Sequence, residues 1–234
     1  AWLGLLCAAA GPNWTGEPVS VPVSGRDLML AVDISESMQT EDLELAGRQV
    51  DRLSVVKSVV GDFLRRRNGD RVGLIVFGSN AYLHAPLTFD RATVGRLLGE
   101  ALIGFAGPKT AIGDALAIAV KRLRERPEGS RVLILLTDGA NTAGEIAPRQ
   151  AAELAARSGL RVYTVGIGAD EMELPGIFGS SFGARRVNPS ADLDEETLGY
   201  IASVTGGRYF RARSENELES IYAELDRLEP IEQE

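Results

Sequence analysis

Apolar positions follow two rhythms along this chain. Short, nearly unbroken apolar runs at about Asp27 to Val32, Arg71 to Phe77, Arg131 to Thr137 and Arg161 to Gly166 predict strands covered on both faces. Between them the apolar residues recur at helical spacing. Leu53, Val56, Val59, Val60, Phe63 and Leu64 predict a long helix from about Asp51 to Arg67, and Ile112, Ala115, Leu116, Ala119, Val120 and Leu123 predict one over Ala111 to Arg126. Similar patterns place helices over Phe89 to Ala101, Ala147 to Arg157, Asp194 to Thr205 and Glu215 to Leu228, a short strand over Arg208 to Phe210, and a short antiparallel edge strand over Ala81 to His84. Strands alternating with helices predict an α/β fold. It should be doubly wound, with a mostly parallel central sheet, right-handed crossovers and helices on both faces. No internal repeat or long linker divides the chain.

The first strand stops abruptly in Asp33-Ile34-Ser35-Glu36-Ser37. One carboxylate and two hydroxyls then leave the end of a buried strand, an oxygen set that suits Mg²⁺, Mn²⁺ or Ca²⁺ and offers nothing to a soft metal. A helix cap explains the same pentad equally well, since Asp and Ser are common N-caps. Two further segments bear on the choice. Thr110 stands in a Gly-containing loop just ahead of a helix, and Asp138 stands where the Val132 to Thr137 strand ends, followed by Gly139. Oxygen-bearing loops at the ends of α/β elements converge where open parallel sheets collect ligands, at the carboxyl ends of the strands.

Asp33-x-Ser35-x-Ser37, Thr110 in its T-x-x-G-D-A-L setting and Asp138 in T-D-G together resemble the metal-ion-dependent adhesion site (MIDAS) of von Willebrand factor A (VWA) domains. The stretches Gly69 to Gly78, Ala85 to Asp90, Leu135 to Gly144 and Thr205 to Phe210, with Ile221-Tyr222, are similar to the Bat (BatA/BatB, aerotolerance operon) branch of bacterial membrane-anchored members. The resemblance covers roughly residues 13 to 234. It implies the Rossmann-like VWA fold and a divalent cation, Mg²⁺ foremost, held by Asp33, Ser35, Ser37, Thr110 and Asp138. Ser35, Ser37 and Thr110 would offer hydroxyls directly and the two aspartates would act largely through water. An open coordination position would then take an acidic side chain from a protein partner, other Bat proteins and a MoxR-type AAA+ ATPase being the partners the branch implies. One departure is Glu36, where many A domains carry glycine; it removes no ligand and adds a negative charge beside the site.

Composition narrows the alternatives. The 234 residues are 44% hydrophobic and 25% charged, as in an ordinary globular domain. The net charge of −8 argues against a nucleic-acid binder. A single cysteine, Cys7, leaves no internal disulfide or Cys-based zinc site, and the lone His84 reads as a strand-end surface residue. Gly166-Ile167-Gly168 lacks the lysine and spacing of a phosphate loop, and no Gly-x-Ser-x-Gly or Ser/His/Asp set occurs. The chain therefore does not read as an enzyme. The competing reading is a Mg²⁺-dependent phosphoryl-transfer or hydrolase domain with Asp33 as nucleophile, and a third is a scaffold whose metal set is idle.

Residues 1–14 read as the end of a membrane-proximal or transmembrane segment, with Trp14 at its exit. Residues 15–228 read as the VWA domain and 229–234 as the start of a C-terminal stalk. With no Lys or Arg before Arg26, the domain is expected on the periplasmic side of the bacterial inner membrane. The stretch 168–190, with Gly176, Phe178, Gly179, Phe182 and Gly183, reads as a long loop on the same rim as the metal. Arg65-Arg66-Arg67 reads as a solvated helix end. Ser214 to Glu234, with eight acids against Arg227, reads as an exposed acidic face.

Overall fold

A computed structural model describes Trp2 and residues 25–67, 69–174 and 185–230. Six strands form the central sheet: β1 (Asp27–Asp33), β4 (Arg71–Phe77), β5 (Ala81–Thr88), β6 (Arg131–Thr137), β7 (Arg161–Ile167) and β10 (Tyr209–Ala212). Their order is β10-β7-β6-β1-β4-β5, parallel throughout except for β5, which runs antiparallel to β4 at one edge. Helices α1 (Arg52–Arg66), α2 (Arg91–Glu100), α3 (Ile112–Leu123), α4 (Pro148–Arg157), α5 (Glu195–Val204) and α6 (Glu215–Leu228) cover the sheet.

The alternation of side chains along each strand divides the core in two. In β1, Leu28, Leu30 and Val32 point to a cluster shared with Val56, Phe63, Leu98 and Tyr222 from α1, α2 and α6. Met29 and Ala31 point the other way, to Leu116, Ala119, Ala155 and Ile201 from α3, α4 and α5. Both faces are dry, so the strand reads as a continuous apolar run rather than an alternating one. Gly73 in β4 is fixed by this packing: a Cβ there would lie 2.7 Å from the Met29 sulfur.

The chain steps outward from β1 to β4 and β5, then returns to place β6 on the other side of β1. This reversal opens a crevice at the carboxyl ends of β1 and β6, where Asp33 and Asp138 stand. The predicted architecture and the parallel strands at 27–32, 71–77, 131–137 and 161–166 are therefore observed.

Several local expectations change. The edge strand is eight residues long, Ala81–Thr88, because pairing with β4 continues across register shifts between Val72 and Ile75. Pro86 is exposed in it, as an edge position allows, and His84 lies in mid-strand and half-buried rather than at a surface strand end. Residues 43–50 form a hairpin, β2 (Leu43–Leu45) and β3 (Arg48–Val50), turned by Ala46 and Gly47 at φ 51 and 80. The 168–190 segment contains a second hairpin, β8 (Met172–Leu174) and β9 (Arg185–Val187). Gly176, Phe178, Gly179, Phe182 and Gly183 lie outside the described residues, as do residues 1–14 apart from Trp2, and 231–234.

Arg67 is also not solvated. The helix ends at Arg66, and Arg67 leaves it with φ −79 and ψ 79, turning inward to Asp70 at 2.6 Å and Asp226 at 3.2 Å. It donates to the Glu229 carbonyl at 2.8 Å. Glu229 departs from the exposed acidic face too: its buried carboxylate meets Arg161, the Tyr163 hydroxyl at 2.7 Å and Arg26 at 3.3 Å. Arg65 and Arg66 are exposed as expected. No helix among the described residues is long and apolar enough to cross a membrane.

Candidate functional site

The five residues singled out in the sequence come together at the β1–β6 crevice. Asp33 ends β1 fully buried. Its Oδ1 accepts from the Ser35 amide at 2.9 Å and its Oδ2 from the Thr137 hydroxyl at 2.6 Å. These two bonds orient the carboxylate and fold the 33–37 turn over it. Ser35 Oγ and Ser37 Oγ are 3.0 Å apart, Ser37 Oγ donates to Asp138 Oδ1 at 2.6 Å, and Thr110 Oγ1 donates to Ser35 Oγ at 3.3 Å. Three hydroxyls and two carboxylates thus form one connected cluster. Gly139 faces it: a Cβ there would sit 4.0 Å from both Ser37 Oγ and Thr110 Oγ1.

Thr110 is held in place by the loop after β6. Its carbonyl accepts from the amides of Thr142 and Ala143 at 2.9 and 3.0 Å, and its amide donates to Thr142 Oγ1 at 3.1 Å. Asn141 Oδ1 accepts from the Ile112 amide at 2.8 Å, supplying the cap that Ala111 cannot provide for α3. Gly113 is required by proximity, because a Cβ would come within 1.8 Å of the Ile146 carbonyl. Asp114, one residue on, accepts from the amides of Glu145 and Ile146, each at 3.0 Å. Its role is to shape the neighbouring loop.

Arg52 is the residue that sequence reading missed. Its guanidinium is buried behind Asp138, bonding Asp138 Oδ2 at 2.8 Å and both oxygens of Asp42 at 2.9 and 2.5 Å. The same side chain donates to the Pro189 carbonyl at 3.1 Å and lies 3.3 Å from Ser190 Oγ. Asp42 Oδ2 also accepts from the Ala169 amide at 2.8 Å. The two roots of the 168–190 segment are therefore tied to the back of the site. A signal was present: Arg52 falls on the apolar stripe of α1 with Val55, Val56 and Val59, where a charge must find a buried partner.

Burial raises the proton affinity of both central carboxylates. Asp33 is pushed up to about 7, first by desolvation and then by the neighbouring charge of Asp138. Asp138 is also raised, by desolvation, against the opposing pull of Ser37 and Arg52. Among the described residues no three His, Cys, Asp or Glu side chains gather at one point, so the donor set is two carboxylates and three hydroxyls. Negative charge held out of water beside neutral oxygen donors matches a hard divalent cation.

A family model for the von Willebrand factor type A domain matches residues 27–224. The chain belongs to this family. Among solved structures, the VWA domain of this chain is similar to BatB from Bacteroides thetaiotaomicron, at 26% identity over 87% of this chain and 98% of that one, with a TM-score of 0.69. It is also similar to an aerotolerance-related membrane protein from Bacteroides fragilis, at 28% identity over 86% and 98% of the two chains, TM-score 0.67. Proximal thread matrix protein 1 from the mussel byssus, solved with a zinc-occupied MIDAS motif, shares the fold at 22% identity over 89% and 46% of the two chains, TM-score 0.65. The chain spans 48% and 65% of the length of two curated bacterial relatives that it matches at 29% and 27% identity.

Proposed function

We propose that this VWA domain is a protein-docking module whose central contact is a divalent cation, Mg²⁺ foremost with Mn²⁺ or Ca²⁺ as substitutes. The observation that carries this reading is the convergence of Asp33, Ser35, Ser37, Thr110 and Asp138 at the sheet's reversal point, with both carboxylates buried and only Asp138 paired to a cation, Arg52. Ser35, Ser37 and Thr110 would hold the ion directly, and Asp33 and Asp138 would orient its water and the hydroxyls. So few anionic ligands leave the ion electrophilic, and the ion's chemistry is to attract a carboxylate from an acidic side chain of a partner. The zinc-occupied motif of the mussel protein supports a divalent ion here.

Asp33 is poorly placed to act as a nucleophile toward phosphate. Both its oxygens already accept hydrogen bonds, from Ser35 and Thr137, and it is fully buried. The likeness to BatB and to an aerotolerance-related membrane protein supports a membrane-anchored Bat-type protein, and we infer the periplasmic side for this domain from the Lys- and Arg-free stretch ahead of Arg26. Other Bat proteins and a MoxR-type ATPase are then the partners to seek. A crosslinking pull-down from native membranes tests the reading. Capture of an acidic partner should vanish in EDTA, return with Mg²⁺ or Mn²⁺, and fail for Thr110→Ala; equal capture in EDTA would overturn it.

Metal binding should also depend on pH. Below about 7 Asp33 holds a proton that a cation must displace. The rise in Tm on adding Mn²⁺ is therefore expected to be larger at pH 7.5 than at pH 5.5. An equal or larger rise at pH 5.5 would contradict the role given to Asp33.

A further inference from the structure

Beside the candidate metal site lies a loop that exposes apolar surface without being loose. Phe105 is 71% and Leu102 67% exposed, more than any other large apolar side chain among the described residues except Trp2. The loop that carries them is tied down along its length. Gly104 donates to the Ile34 carbonyl at 2.7 Å, Gly107 to Gly104 at 2.9 Å, Phe105 to Leu102 at 3.2 Å, and Asn80 to the Ala106 carbonyl at 3.0 Å. Lys57 Nζ holds the Ala101 carbonyl at 2.6 Å. Ala101 and Ala106 are buried and Ile103 packs on the core, so the inward positions are filled and the two largest side chains are left pointing outward.

This loop is continuous with the metal turn. Ile34, which accepts from Gly104, stands between Asp33 and Ser35, and the Glu36 amide donates to the Pro108 carbonyl at 3.2 Å. A ligand carboxylate at the ion would therefore sit within a few extended residues of Phe105 and Leu102, at ~3.3–3.6 Å per residue. The charges on this flank oppose each other: exposed Glu36 repels a second acid, and Lys109, at the loop's far end, offsets it. A second carboxylate gains nothing here, while a bulky apolar side chain would remove Phe105 and Leu102 from water.

We propose that the partner presents a single acidic residue flanked by bulky apolar side chains, the acid going to the cation and the apolar flank to Leu102 and Phe105. This rests on the metal-docking reading above and specifies what that site recognises.

The test uses the full chain and two capped pentapeptides in saturating Mn²⁺, read by calorimetric titration. One peptide has a central glutamate between leucine and phenylalanine; the other has the glutamate between serines. The apolar-flanked peptide is expected to bind roughly tenfold tighter or more, as partial burial of two large side chains predicts. The advantage should disappear in Leu102→Ser/Phe105→Ser, with Mn²⁺ affinity and Tm unchanged. Equal binding of the two peptides, or an advantage that survives the double substitution, overturns the proposal while leaving the metal reading standing. Equal binding of the apolar-flanked peptide in EDTA, or by its glutamine analogue, overturns the metal reading instead. Binding of neither peptide in Mn²⁺ overturns both.

Discussion

Arg52→Ala is expected to lower the unfolding free energy in EDTA by about 3–5 kcal/mol, the usual cost of removing one partner from a buried ion pair. The guanidinium is the shared counter-charge of Asp42 and Asp138, and alanine would leave both carboxylates in the interior with nothing to balance them. Part of this loss should be recovered with saturating Mn²⁺, because a bound divalent cation neutralises Asp138 and has no access to Asp42 through Arg52's former position. Arg52→Lys keeps the charge but cannot bridge three carboxylate oxygens at once, so it should fall between wild type and alanine. Urea denaturation with and without Mn²⁺ measures both effects. A loss under 1 kcal/mol would show that water or a rearranged side chain replaces the guanidinium. A loss identical with and without metal would separate Arg52 from the metal site.

Why Arg52 was hidden in the sequence, while Asp33 and Asp138 were not, follows from range. Each aspartate announces itself locally, as a charge where an apolar strand stops. The strands themselves are legible because both faces are buried and their apolar runs have no polar interruptions. Arg52 acquires its role only through residues 10 and 86 positions away, and no local pattern encodes those distances. Arg67 is similar in part: it continues an arginine run that belongs to solvent, and although Asp70 is only three residues on, its other partners, Asp226 and the Glu229 carbonyl, lie 159 and 162 positions away. The β2–β3 hairpin escaped notice because its turn uses Ala46 at positive φ, where Asn-Gly would have marked it. The edge strand runs on past His84 to Thr88 because its edge position lets Pro86 sit in it without costing a ladder hydrogen bond. The long-range pairs also explain how the site is built: Thr142 fixes Thr110, Thr137 fixes Asp33, and Arg52 fixes Asp138, so these three proposed ligands are each oriented by a residue from a different element.

That arrangement sets function against stability at Asp33. Asp33→Asn is expected to reduce Mg²⁺ or Mn²⁺ affinity by at least ~10–100-fold, the loss typical of groups that orient metal ligands, and yet to raise the Tm of the metal-free domain at pH 8. Asparagine keeps an oxygen to accept from the Ser35 amide and an amide nitrogen that can donate to Thr137 Oγ1, although the Thr137 hydroxyl then loses the acceptor it has in Asp33, a cost set against removal of the buried charge. What disappears is a charge held out of water next to Asp138. Since the folded-state value of Asp33 is raised from 3.8 to about 7, the folded domain binds this proton more tightly than the unfolded chain does. The stability it contributes is complete below 3.8 and gone above about 7. The gap in favour of Asp33→Asn should therefore be largest at pH 8 and shrink as the pH falls through 7 towards 4. Each kcal/mol appears as roughly 2–4 °C in a domain of this size. Calorimetric titration and thermal unfolding across that range measure the two halves of the prediction. Unchanged metal affinity in the variant would remove Asp33 from the site, and a pH-independent gap would show that the buried charge is already balanced without metal.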